Sequence, residues 1–325
     1  PAPAPAPTPA PTPAPAPAPT PAPTPEVSGG LPDDVSDLVA DDISALTPEA
    51  VNDLTASQLQ DLPPKAIQGF TGDQVSNLAI EAVAALIPKQ VKQLSAEAVS
   101  GLSESQVAQL APRAFKAFGA DQVSALSPKA LPALTEEQIE RLSDDAIAGF
   151  IPKQVKKLSA DAFSGFSKSQ VAELSPRAVK GFTADQVEQL PKSAFKALEA
   201  NQLEKLKQDA VSGLTDDQLR TLSGDELAFF KPKKIKSIDP DAISGLRPAA
   251  LDDLSKRQVK ALTNDQLGGL SKKQIKKADN IIDLLSNQQL DQLSFDPGNL
   301  NRQERLVDTL DRQVELFLPE LDPLA

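Results

Sequence analysis

The side chains with the most chemical potential in this chain are paired carboxylates: Asp33-Asp34, Asp41-Asp42, Asp144-Asp145 and Asp216-Asp217. Two adjacent acids can act as general acid and base, or bind a hard cation such as Ca²⁺. The rest of a catalytic toolkit is missing. With no His and no Cys, the usual nucleophile–base pairs and transition-metal ligand sets cannot be assembled. Gly29-Gly30 and Gly268-Gly269 read as hinge or turn residues rather than a phosphate loop, and neither an EF-hand nor a nonapeptide Ca²⁺ pattern occurs. The acids are better explained as favourable charge in the first turn of a helix. No catalytic, cofactor-binding or metal-ligating residue is therefore assigned, and a non-enzymatic role is expected.

The elements that carry these acids are set by a repeat, stated most clearly in Ser167–Leu190: SKSQVAEL, SPRAVKGF, TADQVEQL. Each octad has Ser or Thr first, often Pro second, Gln or Ala fourth, an aliphatic or Phe fifth, and Leu or Phe eighth. The register runs without interruption from Leu31 to Ala278. One continuous α-helix is excluded, because eight residues turn about 800° and the apolar stripe would wander by roughly 80° per octad. Prolines at position two (Pro88, Pro112, Pro128, Pro152, Pro176) would also break it repeatedly. A strand is excluded by parity, since positions five and eight would face opposite sides.

A short helix inside each octad satisfies every position. Position one is the N-cap and Pro at position two is N1, where its missing N–H costs nothing. Gln at position four completes a capping box, as in Ser103/Gln106, Thr135/Gln138, Ser167/Gln170, Thr183/Gln186 and Thr215/Gln218. Positions four, five and eight share a face. Isolated helices below about 12 residues are marginal in water, so neighbours must bury these faces, which predicts an all-α solenoid. Octads with Ala at four tend to carry Gly or Ala at seven and Phe or Leu at eight; octads with Gln at four are more polar at seven. The unit therefore reads as sixteen residues, two unlike short helices on two sides of a thin coil.

Three domains follow. Residues 1–30 are a Pro/Ala/Thr-rich extended, polyproline-II-like tether whose threonines are candidate O-glycan acceptors. Residues 31–278 are the solenoid. Its first two octads, LPDDVSDL and VADDISAL, are acidic, lack the Ser/Thr cap, and read as an N-terminal cap. Ile87–Phe150 matches Ile151–Leu214 octad for octad, as block duplication would produce, and from Ser223 the alternation loosens, with a change in stacking expected there. Residues 279–325 hold an interruption at Asp279–Leu285, one last octad at Ser286–Leu293, a Pro-Gly turn in Phe295–Asn299, and a capping helix at Asn301–Leu318 with Leu306, Leu310, Val314 and Phe317 on one side.

The octads TADQVEQL, SKSQVAEL and TNDQLGGL resemble the short LT-x-x-Q-h-x-A-L repeats of large secreted or surface-anchored bacterial proteins, often described as adhesin-like or haemagglutinin-like. The resemblance spans about three quarters of the chain and implies no transferable catalytic residue. It does not extend to the alternating Ala/Gly-Phe octads or the Pro-Ala segment. A likeness to TAL-effector repeats is set aside, because the period is eight and the charge is wrong.

With 45 acidic and 33 basic residues the net charge is −12, which disfavours nucleic acid as a partner. No apolar run is long enough to span a membrane. The basic clusters Lys231–Lys236 and Lys272–Lys277 read as solvated faces. The absence of Met, Trp, Tyr, His and Cys gives an oxidation-resistant surface suited to life outside the cell, and a start at Pro suggests a processed chain or a fragment. The expected function is an extracellular or cell-surface structural and adhesive solenoid, a stalk or fibre subunit joining end to end or meeting matrix components. The alternative is a scaffold presenting position-six and position-seven residues such as Lys156, Lys157, Glu173 and Lys180 to a protein or glycan partner.

Overall fold

The computed structural model describes residues 31–295, and the regular elements among them are all short helices of three to six residues, with no strand. The tether of residues 1–30 and the Asn301–Leu318 helix lie outside the described residues, as does most of the Pro-Gly turn. From the fourth α-helix on, starts fall at Gly72, Ile80, Pro88, Ala96, Glu104, Pro112 and Ala120. Local chemistry sets these starts. Thr71 Oγ1 accepts from Gln74 N at 3.2 Å while Gln74 Oε1 accepts from Thr71 N at 2.9 Å, closing the capping box. Pro88, Pro112, Pro152 and Pro176 each stand at the first helical position.

Pro128 departs from that rule. Its octad forms only a 3₁₀ turn at Leu131–Ala133, because a second proline, Pro132, has no N–H to give an α-helical bond. All four 3₁₀ segments, at Ala66–Gly69, Leu131–Ala133, Asp161–Gly165 and Ala242–Gly245, fall where Ala holds position four. The Gln segments are α-helical, because the reciprocal cap fixes their first turn.

The short helices coil into a solenoid around one apolar core that runs from Val35 to Leu293. Positions five and eight fill it, as with Val171 and Leu174, and Phe takes the wider spaces. Phe163 stacks edge-on against Phe182 at 5.0 Å, and Phe115 lies parallel to Phe118 at 5.1 Å. Each helix packs on the third one along: Gly72–Asn77 on Ala96–Ser100, that on Ala120–Ala125, and Glu136–Arg141 on Asp161–Gly165. Hydrogen bonds described below join the Gln helices from Gln74 on to the fourth one back, so one turn takes between three and four helices. A coil with two helices per turn, one on each side, is not what forms.

Close packing explains the small residue at position seven. A Cβ on Gly101 would collide with the carbonyl oxygen of Gly72, and one on Gly213 with that of Ala184. Backbone meets backbone there, three helices apart.

Both ends depart from the regular pattern. Residues 31–38 contain no helix, though Val35 and Leu38 are buried against the core. Asp42 Oδ2 accepts from Val39 N at 2.9 Å, so an acid takes the capping half of the glutamine's role. Asp279–Leu285 shifts the register without interrupting the stack: Asp279–Leu284 is helical, and Ile281, Ile282 and Leu285 are buried.

Candidate functional site

The position-four glutamines are the most constrained polar groups in the molecule. Gln170 is 2% exposed. Its Oε1 accepts from Ser167 N at 2.8 Å, and its Nε2 donates to Ile139 O and Leu142 O, both at 2.8 Å. Each side-chain polar atom is thereby satisfied, as burial requires. The same pair of carbonyls, 31 and 28 residues earlier, is taken by Gln106 (Val75 O, Leu78 O), Gln138 (Val107 O, Leu110 O) and Gln218 (Val187 O, Leu190 O). A ladder of amides thus runs from Gln74 to Gln274. The capping half of this role was legible in the sequence; the donation to another turn was not.

Exceptions to the ladder follow from position. Asp34 and Asp42 lie at the start of the described residues, and neither side chain is an amide that could donate to a carbonyl of another turn. Asp34 instead accepts from Ser36 N, and the hydrogen bonds from Ser36 hold its carboxyl below the ordinary value. Past Ser223 the offset persists, with Gln258 reaching Leu227 O and Phe230 O, so the loosened alternation leaves the stacking unchanged. Gln289 reaches Val259 O, 30 residues back instead of 31, because Asp279–Leu285 is one residue short of an octad. Lys234 replaces the amide outright: its Nζ donates to Leu203 O at 3.4 Å and Glu204 O at 2.8 Å, and lies 5.7 Å from the Phe230 ring centroid. Partial burial lowers its pKa, with the Lys231 and Lys205 charges adding to the shift and Glu204 opposing it. Lys234 is therefore half-buried within a cluster otherwise solvated at Lys231, Lys233 and Lys236.

The carboxylate pairs are dispersed. Asp41-Asp42, Asp144-Asp145 and Asp216-Asp217 open their helices, whereas Asp33-Asp34 lies in non-helical chain before Ala40–Ala45. Among the described residues no three acids gather into a metal-binding group. Asp216 and Asp217 are engaged by Arg220, at 3.1 and 3.0 Å. Lys156, Lys157, Glu173 and Lys180 are all exposed.

Two recesses flank that Arg220 cluster. One, of about 310 Å³, is acidic, lined by Glu188, Asp216, Asp239 and Asp241. The other, of about 630 Å³, is basic: Lys168, Lys192, Lys196, Arg220 and Arg247 line it with the hydroxyls of Ser193 and Thr221. Lys168 and Lys192 begin helices that pack on each other, and Arg220 ends the next helix in that row. Arg247, which lies just past the fourth element of the row (Ala242–Gly245) at the N-cap of the next helix, donates from Nη2 to Leu222 O at 3.0 Å and so ties its turn to that of Arg220. None of these cations stood out in the sequence. The signal was their spacing, since Lys168 and Lys192, and again Lys196 and Arg220, are three octads apart.

Among the described residues no helix is long and apolar enough to cross a membrane. No protein-family model matches the chain, and no curated protein matches it either.

Proposed function

We propose that this chain is a non-enzymatic structural solenoid, an extracellular or cell-surface stalk built from octads that alternate Ala and Gln helices. The observation that supports it is the glutamine ladder. The ladder ties one turn to another through groups inside the coil, so these ties do not depend on the exposed residues, and the rod can be lengthened by duplicating blocks such as Ile87–Phe150. The Pro/Ala/Thr segment of residues 1–30, read from the sequence, would tether it. End-to-end joining would require partners for the terminal turns other than this ladder, because Asp34 and Asp42 lack the donating amide. Immunogold electron microscopy on unpermeabilised cells that make the protein tests the reading. Gold along fibres or a surface coat is expected; signal only after permeabilisation would overturn the extracellular assignment and favour an internal scaffold.

A further inference from the structure

We propose that the basic groove is a binding site for a linear anionic polysaccharide, a chain bearing carboxylate or sulfate groups. The proposal goes beyond the stalk reading and stands whether the rod lies outside the cell or within it.

Charge is the first observation. In a chain of net charge −12, five cations from four successive rungs converge on one recess. Lys192 is partly compensated by Asp217 at 3.4 Å, and Arg220 by Asp216 and Asp217 at 3.1 and 3.0 Å. Among the described residues, no carboxylate lies within ion-pair distance of Lys168, Lys196 or Arg247. Packed helices stand about 8–10 Å apart, so a groove crossing four of them suits an extended ligand with spaced charges better than one small anion.

Lining chemistry selects the class. Among the described residues, Ser193 and Thr221 are what line the groove besides the cations. Thr221 Oγ1 spends its proton on Gln218 O at 2.7 Å and keeps its lone pairs for a ligand hydroxyl. Among the described residues no aromatic one lines the groove to stack a base, which disfavours single-stranded nucleic acid. Among the described residues no apolar one lines it to hold peptide side chains. Hydroxyl-rich sugars with acidic substituents match what remains.

Asp217 then acts as a resident competitor, drawing Lys192 and Arg220 toward itself. Its removal should strengthen binding.

Fluorescence anisotropy with the full chain tests this, using a labelled heparin oligosaccharide (sulfate) and a labelled oligogalacturonate (carboxylate) as probes. Saturable binding of at least one is expected, and which one binds tells sulfate from carboxylate. The double variant Lys168→Gln/Lys196→Gln should weaken it about tenfold or more, since a hydrogen bond to a charged group is worth at least the free energy of a tenfold change. Asp217→Asn should tighten it, and Lys156→Gln/Lys157→Gln, outside the groove, should leave it within about twofold, the change expected of a remote exposed charge. All the substituted residues are exposed, and circular dichroism verifies folding. The proposal is overturned if neither probe binds. Equal weakening by the Lys156/Lys157 pair overturns it too, since that would show diffuse charge alone. Tighter binding of polyglutamate or a single-stranded oligonucleotide would assign the groove to another class of partner.

Discussion

Replacing Gln170 with Ala would remove two hydrogen bonds that join two turns of the coil and a third that caps its own helix. Among the described residues Leu142 O has no donor other than Gln170 Nε2, so leaving it buried and unpaired costs about 1–3 kcal/mol. Ile139 O keeps the N–H of Leu142 at 3.1 Å and loses less. Ser167 N loses its acceptor, at about 0.5–1.5 kcal/mol. With the vacated volume, the total is about 2–5 kcal/mol, a large share of a typical domain's stability. A urea melt followed by circular dichroism should show a lower midpoint. A second variant, Gln170→Glu, isolates the donor. The carboxylate keeps an acceptor for the cap but sets an anionic oxygen against two carbonyls, so folding favours its protonated form and raises its pKa above about 4.3. A raised folded pKa gives stability that is present in acid and lost as pH rises through it. The variant should approach the parent below about pH 4, where the carboxyl is protonated in both states, and fall furthest behind at neutral pH. Gln189→Glu, at an exposed position, should show neither effect. A Gln170→Ala loss under about 0.5 kcal/mol, the range of ordinary surface changes, would refute the ladder as the tie between turns.

Leu174→Ala and Phe166→Ala, at 2% and 3% exposure, should each cost about 2–5 kcal/mol in the same melts, against under about 0.5 kcal/mol for exposed Glu173→Ala; equal losses would contradict the face assignment. Lys234→Gln restores the ladder's neutral donor and should stabilise by up to about 1 kcal/mol at pH 7. Because burial lowers the Lys234 pKa, the folded parent sheds that proton before the unfolded chain does. The parent should therefore recover part of the difference as pH climbs toward the ordinary lysine value, and a difference that does not narrow would count against this. Deleting residues 87–150 hands Gln154 the Leu59 and Leu62 carbonyls that Gln90 now holds. The shortened chain should unfold cooperatively with a smaller m-value, whereas deleting four residues within one octad should abolish cooperative unfolding.

The sequence alone determined what depends on neighbours a few residues apart. Ser167 and Gln170 form their capping box, and Pro176 opens its helix, because these interactions close within one turn. The buried face at positions four, five and eight was equally legible, since helical geometry sets it. Tertiary structure decided what depends on positions far apart in the chain. How many helices complete a turn is set by how closely backbones approach, as at Gly213 against Ala184, and by which carbonyls a buried amide can reach. That offset gave Gln170 its second role and let Lys234 stand in for a glutamine. It also gathered Lys168, Lys192, Lys196, Arg220 and Arg247 from four rungs into one groove, a convergence that appears only once the coil is wound.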